Sequence, residues 1–410
     1  MESIEQMIKR LCPGGVEWKK ISEIGTVMRG TSFQKKHFTD EGTPCIHYGQ
    51  IYTQYAHHVY ETLSFVGEEI SRSPRRAKTG ALIMATTSEN IEDVGKCIVW
   101  LGEKDIIVSN DACFIQHSLN PKYLGYLLQT GYFNAYKKKV ATGTKVIRIN
   151  ADAVADFVIP VPPLEIQNRI VEVLDKMTTL EAELEAELET RKRQYEYYRS
   201  KLLTFSEVGG IRKVVWKKIG EIGTVMRGTS FQKKHFTDEG TPCIHYGQIY
   251  TRYGTFANKT FTYVNEELAK GKRLAKKGDL IMAVTSENLE DVGKCLAWLG
   301  EDDILVSNHA CFIRHSLNPK YLAYFLQTSY FFNYKKKISK GVKVIDLDLN
   351  MFGDMLIPVP SMEEQARIVS ILDRFEALTT DLQSGLPAEI EARRQQYEYY
   401  RNKLLTFEVV

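Results

Sequence analysis

The chain has 410 residues, 43% of them hydrophobic and 26% charged, a composition typical of a globular protein with two or three domains. The N-terminal segment has no apolar core region and no run of eighteen apolar residues occurs, so we expect neither a signal peptide nor a membrane span. The net charge of +3 is too small to indicate a nucleic-acid partner, so the placement of the charges must decide.

The first half of the chain predicts a mixed globule, α/β (α+β) in class. The stretch 120–140 opens with Asn120-Pro121 and carries apolar residues at helical spacing, which predicts a helix. Four short apolar stretches bounded by glycine or polar turns are typical of buried strands. They lie at 80–88, 96–102, 105–117 and 157–161.

A much longer helix is predicted to follow. Apolar side chains recur at steps of three and four from Ile170 to Phe205, which places them on one face of an α-helix. At 1.5 Å per residue, a helix over 164–205 would be roughly 60 Å long. A helix of that length with one apolar stripe needs a partner helix.

An internal repeat supplies that partner. The segment Glu23–Thr53 recurs unchanged at Glu221–Thr251, an offset of 198. The end of the long helix, QYEYYRSKLLTF, returns as QYEYYRNKLLTF at an offset of 202, so four residues have been added near 384–389. Whether the GLP sequence at 385–387 breaks the second helix is left open, because proline can end a helix or open one.

The repeat predicts five segments. They are a globular domain at 1–163, a long helix at 164–205, a linker at 206–213, a second globular domain at 214–361 and a second long helix at 362–407.

Six of the seven cysteines form repeat-matched pairs, and no CxxC motif occurs. We expect small buried hydrophobes in a reducing cytoplasm rather than a disulfide or zinc framework. The pairs are Cys45/Cys243, Cys97/Cys295 and Cys113/Cys311.

No catalytic or metal-binding constellation is visible in the sequence. The segment NIEDVGKC lacks the first glycine of a P-loop and has cysteine where serine or threonine would bind magnesium. We interpret His47 and His245 as packed or DNA-facing strand residues rather than general bases. The acidic SENIEDVG segment is interpreted as a solvated loop or cap rather than a cation site.

Basic residues set among polar and aromatic side chains recur in three loops of each copy. Lysine and arginine neutralise phosphates, and amide side chains can read base edges. Any one of these loops is equally compatible with solvated surface, but their recurrence in both copies favours DNA binding. The candidates in the first copy are Arg29, Lys35, Lys36, His37, Tyr48, Gln50, Arg72, Arg75, Arg76, Lys78, Asn90, Lys96, Asn110 and Lys145. Those in the second copy are Arg227, Lys233, Lys234, His235, Tyr246, Gln248, Arg252, Lys272, Arg273, Lys276, Asn288, Lys294, Asn308 and Lys343.

Several of these motifs together resemble a known family. They are RGTSFQKKHF followed by EGTPCIHYGQI, GDLIMAVTSENLEDVGKC, NPKYLGYLLQT, and the run from the glycine loop GTKVIRI through IPVP to the helix start at 164. The chain resembles the specificity subunits of type I restriction-modification enzymes over essentially its whole length.

The resemblance implies two target-recognition domains, each reading one half of a bipartite double-stranded DNA site. The two long helices would form an antiparallel coiled coil that acts as a spacer, with pseudo-two-fold symmetry. Two methyltransferase subunits would bind this non-catalytic, cytoplasmic chain, and two ATP-driven restriction subunits could add to the complex. S-adenosylmethionine, ATP and magnesium would be bound by those partners, so no cofactor or metal is expected on this chain.

In such a coil we expect Tyr195, Tyr198, Tyr397 and Tyr400 to be buried. The outer-face residues Tyr197, Arg199, Tyr399 and Arg401 would then be available to the methyltransferase. The alternative is that all these tyrosines only pack the coil.

Recognition domains within one such subunit generally differ strongly, yet here they are nearly the same outside 54–79 and 252–278. Similar readers related by a two-fold axis predict an interrupted, near-palindromic target, with half-site centres one to two turns of about 34 Å apart. Asymmetry would enter through those variable segments, through Asp111/His309 and through Gln116/Arg314.

Two other readings remain. A self-contained DNA-modifying enzyme would need an acidic metal cluster or a cofactor loop. A coiled-coil scaffold without a DNA role would lack salt-dependent DNA binding.

Overall fold

The boundary between the two structural units of the molecule does not follow the sequence repeat. The computed structural model describes residues 2–72, 75–205, 214–380 and 384–407, and the predicted linker 206–213 lies outside them. Unit 1 comprises Met1–Glu185 together with Glu389–Val410, and unit 2 comprises Ala186–Ala388. Among the described residues, no helix is both long enough and apolar enough to cross a membrane.

The first repeat contains eight α-helices and thirteen strands among its described residues. Its helices are α1 (Ile4–Leu11), α2 (Ile21–Ile24), α3 (Tyr48–Thr53), α4 (Glu68–Ser71), α5 (Pro121–Leu127), α6 (Gly131–Val140), α7 (Ala151–Ala155) and α8 (Leu164–Leu203), with a 3-10 turn at Lys35–His37. Its strands are β1 (Trp18–Lys20), β2 (Gly25–Arg29), β3 (Phe38–Thr39), β4 (Thr43–Ile46), β5 (His58–Val59), β6 (Ser64–Val66), β7 (Leu82–Ala85), β8 (Thr87–Ser88), β9 (Cys97–Trp100), β10 (Ile107–Val108), β11 (Ala112–His117), β12 (Ile147–Arg148) and β13 (Val158–Pro160).

The second repeat has the same order of elements with small differences. Its strands are β14 (Val215–Lys218), β15 (Gly223–Arg227), β16 (Phe236–Thr237), β17 (Thr241–Ile244), β18 (Phe256–Ala257), β19 (Thr262–Val264), β20 (Leu280–Ala283), β21 (Thr285–Ser286), β22 (Cys295–Trp298), β23 (Leu305–Val306), β24 (Ala310–His315), β25 (Ser339–Lys340), β26 (Ile345–Leu347) and β27 (Leu356–Val359). Its helices are α9 (Ile219–Ile222), α10 (Tyr246–Thr251), α11 (Glu266–Ala269), α12 (Pro319–Phe325), α13 (Ser329–Ile338), α14 (Leu349–Gly353), α15 (Met362–Thr380) and α16 (Leu386–Leu404), with a 3-10 turn at Lys233–His235.

The main sheet of unit 1 has five strands in the order β2-β11-β7-β9-β5, and unit 2 repeats it as β15-β24-β20-β22-β18. Strand β7 lies in its middle and is buried along its whole length. Leu82 and Met84 enter one core with residues of α5, α6 and α8, while Ile83 and Ala85 enter a second core with α3. Because both faces of the sheet are covered, its strands are continuous apolar runs rather than alternating ones.

A smaller four-stranded sheet, β10-β4-β6-β3, lies beside the main one and carries the basic 3-10 turn next to β3. The chain reaches it through Gly30, where a Cβ atom would stand only 2.1 Å from the Ser109 carbonyl oxygen. Gly228 meets Ser307 in the same way at 2.2 Å. This close backbone approach explains the glycine of the RGTSF motif in both repeats.

The strands predicted at 96–102 and 157–161 are confirmed as β9 and β13. The stretches 80–88 and 105–117 each contain two strands in different sheets, β7 with β8 and β10 with β11, so a single strand there is wrong. The helix predicted over 120–140 is also wrong, because two helices occupy it, α5 and α6. Asn120 begins the first by accepting hydrogen bonds from the backbone of Lys122 and Tyr123. The chain turns at Thr130, whose hydroxyl donates to the Leu127 carbonyl at 2.7 Å. Helical spacing alone did not reveal this turn, because both helices direct their apolar residues into one core.

The long helix of the first repeat is confirmed, since α8 has 40 residues. The element predicted at 362–407 is two helices rather than one, because α15 ends at Thr380 and α16 begins at Leu386. Residues 381–383 lie outside the described part of the chain. Pro387 stands in the first turn of α16, where its missing N–H costs no helical hydrogen bond.

Each unit is completed by the tail of the other repeat. In unit 1, Arg394 of α16 donates to Glu181 and Glu185 of α8. Three residues further on, Tyr397 packs against Tyr126, whose hydroxyl donates to Asp175. As the residue number on α16 rises from 394 to 397, the residue numbers of the neighbouring α8 residues fall from 185 to 175. The two helices are therefore antiparallel.

The core of unit 1 contains Tyr397, Leu405 and Phe407 from the second tail. In unit 2, the corresponding residues of the first tail, Tyr195, Leu203 and Phe205, lie in the core.

Candidate nucleic-acid interface

A cluster of polar and aromatic side chains lies where β11 begins in unit 1. We call Tyr48, Thr87, Asp111 and Arg148 the polar cluster of unit 1. The Thr87 hydroxyl donates to Asp111 at 3.3 Å, and Arg148 stands opposite Thr87 in the pairing of β12 with β8. The backbone N–H of Tyr48 donates to the hydroxyl of Ser109, two residues before Asp111. Three separate loops are thereby held together by hydrogen bonds.

Helix α3 is held at its start by His47 and Gln50. The His47 ring accepts from the Gly49 N–H at 3.2 Å, and the Gln50 side chain accepts from the His47 N–H at 2.9 Å. The Gln50 amide also donates to Ser64 at 2.8 Å. Gln248 makes the corresponding contacts with His245 and Thr262. Both buried glutamines therefore have their side-chain amides engaged within the protein.

His47 and His245 are packed residues at the start of a helix, rather than strand residues. Burial lowers the pKa of His47, and the nearby Lys35 lowers it further. Its ring centroid lies 4.6 Å from that of Tyr48, which in turn lies 6.3 Å from Tyr52. The Tyr52 hydroxyl donates to the Thr87 carbonyl at 2.6 Å, so the row of rings is anchored to the polar cluster.

Cations from the first and third predicted basic loops surround this cluster. Arg29 is exposed and stands opposite Cys113, at the same end of β11 as Asp111. Lys35 is exposed on the 3-10 turn beside His47. Lys145 is exposed on the short loop that ends in β12, where the backbones of Thr142 and Arg148 exchange two hydrogen bonds. Exposed cations around a polar, aromatic surface can neutralise phosphates on both sides of the bases it meets.

The second predicted basic loop lies elsewhere. The Lys78 backbone N–H donates to Gln116 near the far end of β11, about 17 Å along the strand from Asp111. The Arg76 guanidinium donates to the Ser71 carbonyl within its own loop. In unit 2 the corresponding Lys276 lies 3.8 Å from Asp303. This basic loop is therefore not part of the polar cluster.

The asparagines of the SEN motif are turn residues. Asn90 both donates to the Asp93 carboxylate at 2.9 Å and accepts from the Asp93 N–H at 2.7 Å, and Asn288 does the same with Asp291. Because both polar groups are engaged within the turn, Asn90 and Asn288 are not suited to read bases. Asn110 remains a candidate, since it adjoins Asp111 and is only half-buried.

Two buried lysines were not recognised from the sequence because they lie within the basic YKKK runs. The Lys137 ammonium group donates to the carbonyls of Glu92 at 2.7 Å and Val94 at 3.1 Å. Lys335 makes the corresponding pair of bonds in unit 2. Burial lowers the pKa of both lysines. Each is a structural clamp on the SEN turn rather than a phosphate ligand.

Unit 2 has a matching polar cluster, formed by Tyr246, Thr285, His309 and Asp346. The Thr285 hydroxyl donates to Asp346, and His309 Nδ1 lies 3.3 Å from the same hydroxyl. The His309 ring also packs on Tyr246, with centroids 5.0 Å apart. Sequence reasoning missed Arg148 and Asp346. The sequence could have revealed Arg148 and Asp346, because they occupy matched positions of the repeat and differ in charge.

The tyrosine segments divide differently from the prediction. Tyr195 and Tyr397 are buried as expected, whereas Tyr198 and Tyr400 are 40% and 38% exposed, so their predicted burial is wrong. Tyr197 and Tyr399 are the most exposed, at 59% and 60%.

The arginines of these segments turn back onto the protein. Arg199 lies over the Tyr195 ring at 5.1 Å and donates to Gln327 at 3.4 Å. Arg401 lies over Tyr397 at 5.2 Å and borders a cavity of about 350 Å³ in unit 1. The arginines are therefore less available to a partner than Tyr197 and Tyr399.

The predicted burial of the cysteines is confirmed, since all six repeat-matched cysteines are buried. Burial raises the pKa of the Cys97 and Cys113 thiols to about 12. Within the described residues, no group of three His, Cys, Asp or Glu side chains is placed to hold a metal ion.

Comparison with known proteins finds one family in both repeats. The family described as type I restriction modification DNA specificity domain matches residues 13–190 and again 212–392. The specificity subunit of the type I restriction enzyme EcoR124I/EcoR124II from Escherichia coli is 36% identical over 257 residues, which span 60% of this chain and 61% of that subunit. A putative type I specificity subunit from Haemophilus influenzae, S.HindORF215P, is 29% identical over 71% of this chain and 74% of its own length.

Two solved structures share the fold. A chain from a structure described as showing complex assembly and conformational transition of the type I R-M system has a TM-score of 0.65 and 16% identity, covering 96% of this chain and 98% of that one. The HsdS subunit from Thermoanaerobacter tengcongensis has a TM-score of 0.53 and 17% identity, covering 96% and 97%.

Proposed function

Because this chain belongs to the type I restriction modification DNA specificity family, we propose that it is the DNA-reading subunit of a type I restriction-modification complex. In this proposal the chain catalyses no reaction itself. It selects the DNA sequence on which partner subunits act, and it works in the cytoplasm where that DNA lies.

The observation that carries the proposal is the duplication of the polar cluster. Each unit presents a row of aromatic rings, a hydrogen-bonded threonine and two ionisable side chains at the same place in its fold. The cations Arg29, Lys35 and Lys145 and their matches Arg227, Lys233 and Lys343 are exposed in both units. A pair of such surfaces on one chain suits a DNA site made of two separated halves, one read by each unit.

The half-sites are proposed to be nearly the same sequence in inverted orientation. The segment that supplies the 3-10 turn and α3 is identical in the two repeats, so the two units offer DNA the same side chains there. The resulting target is an interrupted near-palindrome. The helices α8, α15 and α16 would set the distance between its halves.

The partners are proposed to be two methyltransferase subunits, with two restriction subunits added in the nuclease form. S-adenosylmethionine, magnesium and ATP would be bound by those subunits. The exposed Tyr197 and Tyr399, one on the tail of each repeat, offer two equivalent contacts to two identical partners.

Methylated-adenine mapping tests this function. Cells carrying the methyltransferase subunit would be mapped with and without this chain, and an interrupted near-palindromic motif should appear only when the chain is present. The purified chain alone, incubated with DNA, magnesium and S-adenosylmethionine, should leave DNA unmodified. Modification by the chain alone would instead establish a self-contained enzyme.

The salt dependence of DNA binding tests the interface. Replacing Lys35 and Lys233 by glutamine should weaken binding about equally on all sequences and make the slope of log K against log salt shallower by roughly one for each phosphate that is no longer neutralised. Lys192 is an exposed lysine on α8 outside the polar cluster and serves as the matched control. DNA binding with no salt dependence would favour a scaffold without a DNA role.

A further inference from the structure

The two polar clusters place their acidic residue at opposite positions around the same threonine. Unit 1 has the acidic Asp111 and the basic Arg148, whereas unit 2 has His309 and the acidic Asp346 at the matched positions. The tyrosine and the threonine of the cluster are unchanged, since Tyr48 and Thr87 correspond to Tyr246 and Thr285. A reciprocal exchange at two positions that share one neighbour indicates that the two positions act as a pair.

We call 111 and its match 309 the first position, and 148 and its match 346 the second position. In unit 1 the threonine is hydrogen-bonded to the acid at the first position. The Thr87 hydroxyl donates to one carboxylate oxygen of Asp111, which leaves the second oxygen as an acceptor. Arg148 is exposed on β12, directly opposite Thr87. Unit 1 therefore presents an acceptor at its first position and a fork of donors at its second.

In unit 2 the threonine is bonded to the acid at the second position. The Thr285 hydroxyl has a single proton and donates it to Asp346, so His309 Nδ1 must donate to that hydroxyl. Asp346 is exposed, and its remaining lone pairs make it the acceptor of unit 2. The order of acceptor and basic group is thus inverted relative to unit 1.

The major groove carries the features that this order would distinguish. Guanine presents two acceptors, which suit arginine, while cytosine and adenine present an amine, which suits a carboxylate. A register shared by both units would bring the second position of each cluster to the same base of its half-site. That base would then be guanine under Arg148 and an amine-bearing base under Asp346.

We propose that Asp111 with Arg148, and His309 with Asp346, are the specificity-determining pairs by which the two half-sites differ. At the base facing the second position, guanine in the first half-site is replaced by an amine-bearing base in the second. This inference rests on the proposed function and names the residues that break the near-palindrome.

Another difference between the units is structural instead. Arg314, which replaces Gln116, donates to both carboxylate oxygens of Asp279, which replaces Ala81. The Asp279 side chain is only 4% exposed. This pair is engaged with itself and lies near the far end of β24 from His309, so it does not read DNA.

The test exchanges the pair within the full chain, assembled with its methyltransferase. The double variant Asp111→His/Arg148→Asp should convert the first half-site into the second, so that mapped methylation shows a perfect palindrome. The reciprocal variant His309→Asp/Asp346→Arg should give the palindrome of the other half. The control Ala81→Asp/Gln116→Arg transfers the structural pair and should leave the target unchanged.

Methylation by both exchanged variants at the wild-type sequence alone would overturn the inference. If an exchanged variant methylates no site, the single variant Arg148→Gln decides. It should reduce discrimination at one base of one half-site by roughly 5- to 150-fold, and unchanged discrimination at every base overturns the inference. If methylation of the wild-type complex does not depend on this chain at all, the proposed function fails instead.

Discussion

Tyr397 packs the edge of its ring against Tyr126 in the core of unit 1, with ring centroids 6.4 Å apart, although the two residues come from different repeats. The Tyr397 hydroxyl also lies 3.4 Å from the side-chain oxygen of Gln129, which is 268 positions away in the sequence. The second tail is therefore part of the fold of the first recognition unit. It is not a free appendage that serves only as a spacer.

Removing the Tyr397 ring should destabilise unit 1 selectively. Its side chain is 5% exposed, so Tyr397→Ala should cost about 3 kcal/mol or more of unfolding free energy. Hydrogen exchange should show reduced protection in peptides from residues 2–185. Tyr195→Ala is the matched variant and should act on residues 214–380. If Tyr397→Ala reduced protection only in residues 214–380, the finding that the second tail completes unit 1 would be contradicted.

The exposed tyrosines should matter to assembly rather than to folding. Replacing Tyr197 and Tyr399 by alanine should weaken methyltransferase binding by roughly 2 kcal/mol, about 30-fold in Kd, because exposed tyrosines are frequent interface anchors. Thermal unfolding of the chain alone should stay close to wild type, since both rings are more than half exposed. A large loss of thermal stability with unchanged assembly would mean that these tyrosines only pack the helices.

Loss of Arg314 should cost more stability than loss of its partner. Arg314→Gln leaves the buried Asp279 carboxylate without its cation, which costs roughly 1–3 kcal/mol. Asp279→Ala leaves an arginine that is 45% exposed and should cost less than about 1 kcal/mol.

The double variant Asp279→Ala/Arg314→Gln reproduces the first repeat at these positions and should recover most of the stability that Arg314→Gln removes. Denaturant unfolding of the three variants measures the order. Equal costs for the two single variants would refute the role assigned to the buried carboxylate.

Stability should fall as the pH drops from about 6.5 towards 4 because of two matched histidines. Burial lowers the pKa of His117 and His315 from 6.5 to about 4. Between these values the unfolded chain binds more protons than the native one, so the contribution is fully present above 6.5 and is lost as the pH falls.

A variant with both histidines replaced by asparagine tests this pH dependence. Asparagine can still accept the hydrogen bonds that Leu119 and Leu317 donate to these rings, but it does not titrate. Unfolding free energy measured across this window should decline less steeply in the variant. An identical slope in wild type and double variant would show that other groups cause the acid sensitivity.

Local features of the sequence predicted much of the fold. The runs at 80–88 and 105–117 contain β7 and β11, whose shared sheet is covered on both faces, and the spacing from Ile170 onwards became a 40-residue helix. The basic motifs also located part of the candidate interface, since Arg29 and Lys35 lie beside the polar cluster.

Side-chain availability was much harder to predict. Gln50, Asn90 and Lys137 have side chains that suit DNA contact, yet each is engaged within the protein. Arg148 and Asp346 were overlooked because neither lies in a basic run, and only the pairing of β12 with β8 and of β26 with β21 brings them to the cluster. A residue's chemical type is readable from the sequence, but its hydrogen-bond partners are set by the fold.

By itself the sequence determined that one unit occurs twice, that each copy is a mixed α+β globule with a helical tail, and that the chain resembles a DNA specificity subunit. These conclusions depend on identity and periodicity along the chain, which need no knowledge of distant contacts. Only the tertiary structure decided which tail completes which core. The last twelve residues of the two tails differ at one position and present the same Tyr, Leu and Phe side chains, so this part of the sequence does not distinguish the two cores. The choice depends on contacts between residues more than two hundred positions apart, and these exist only in the folded chain.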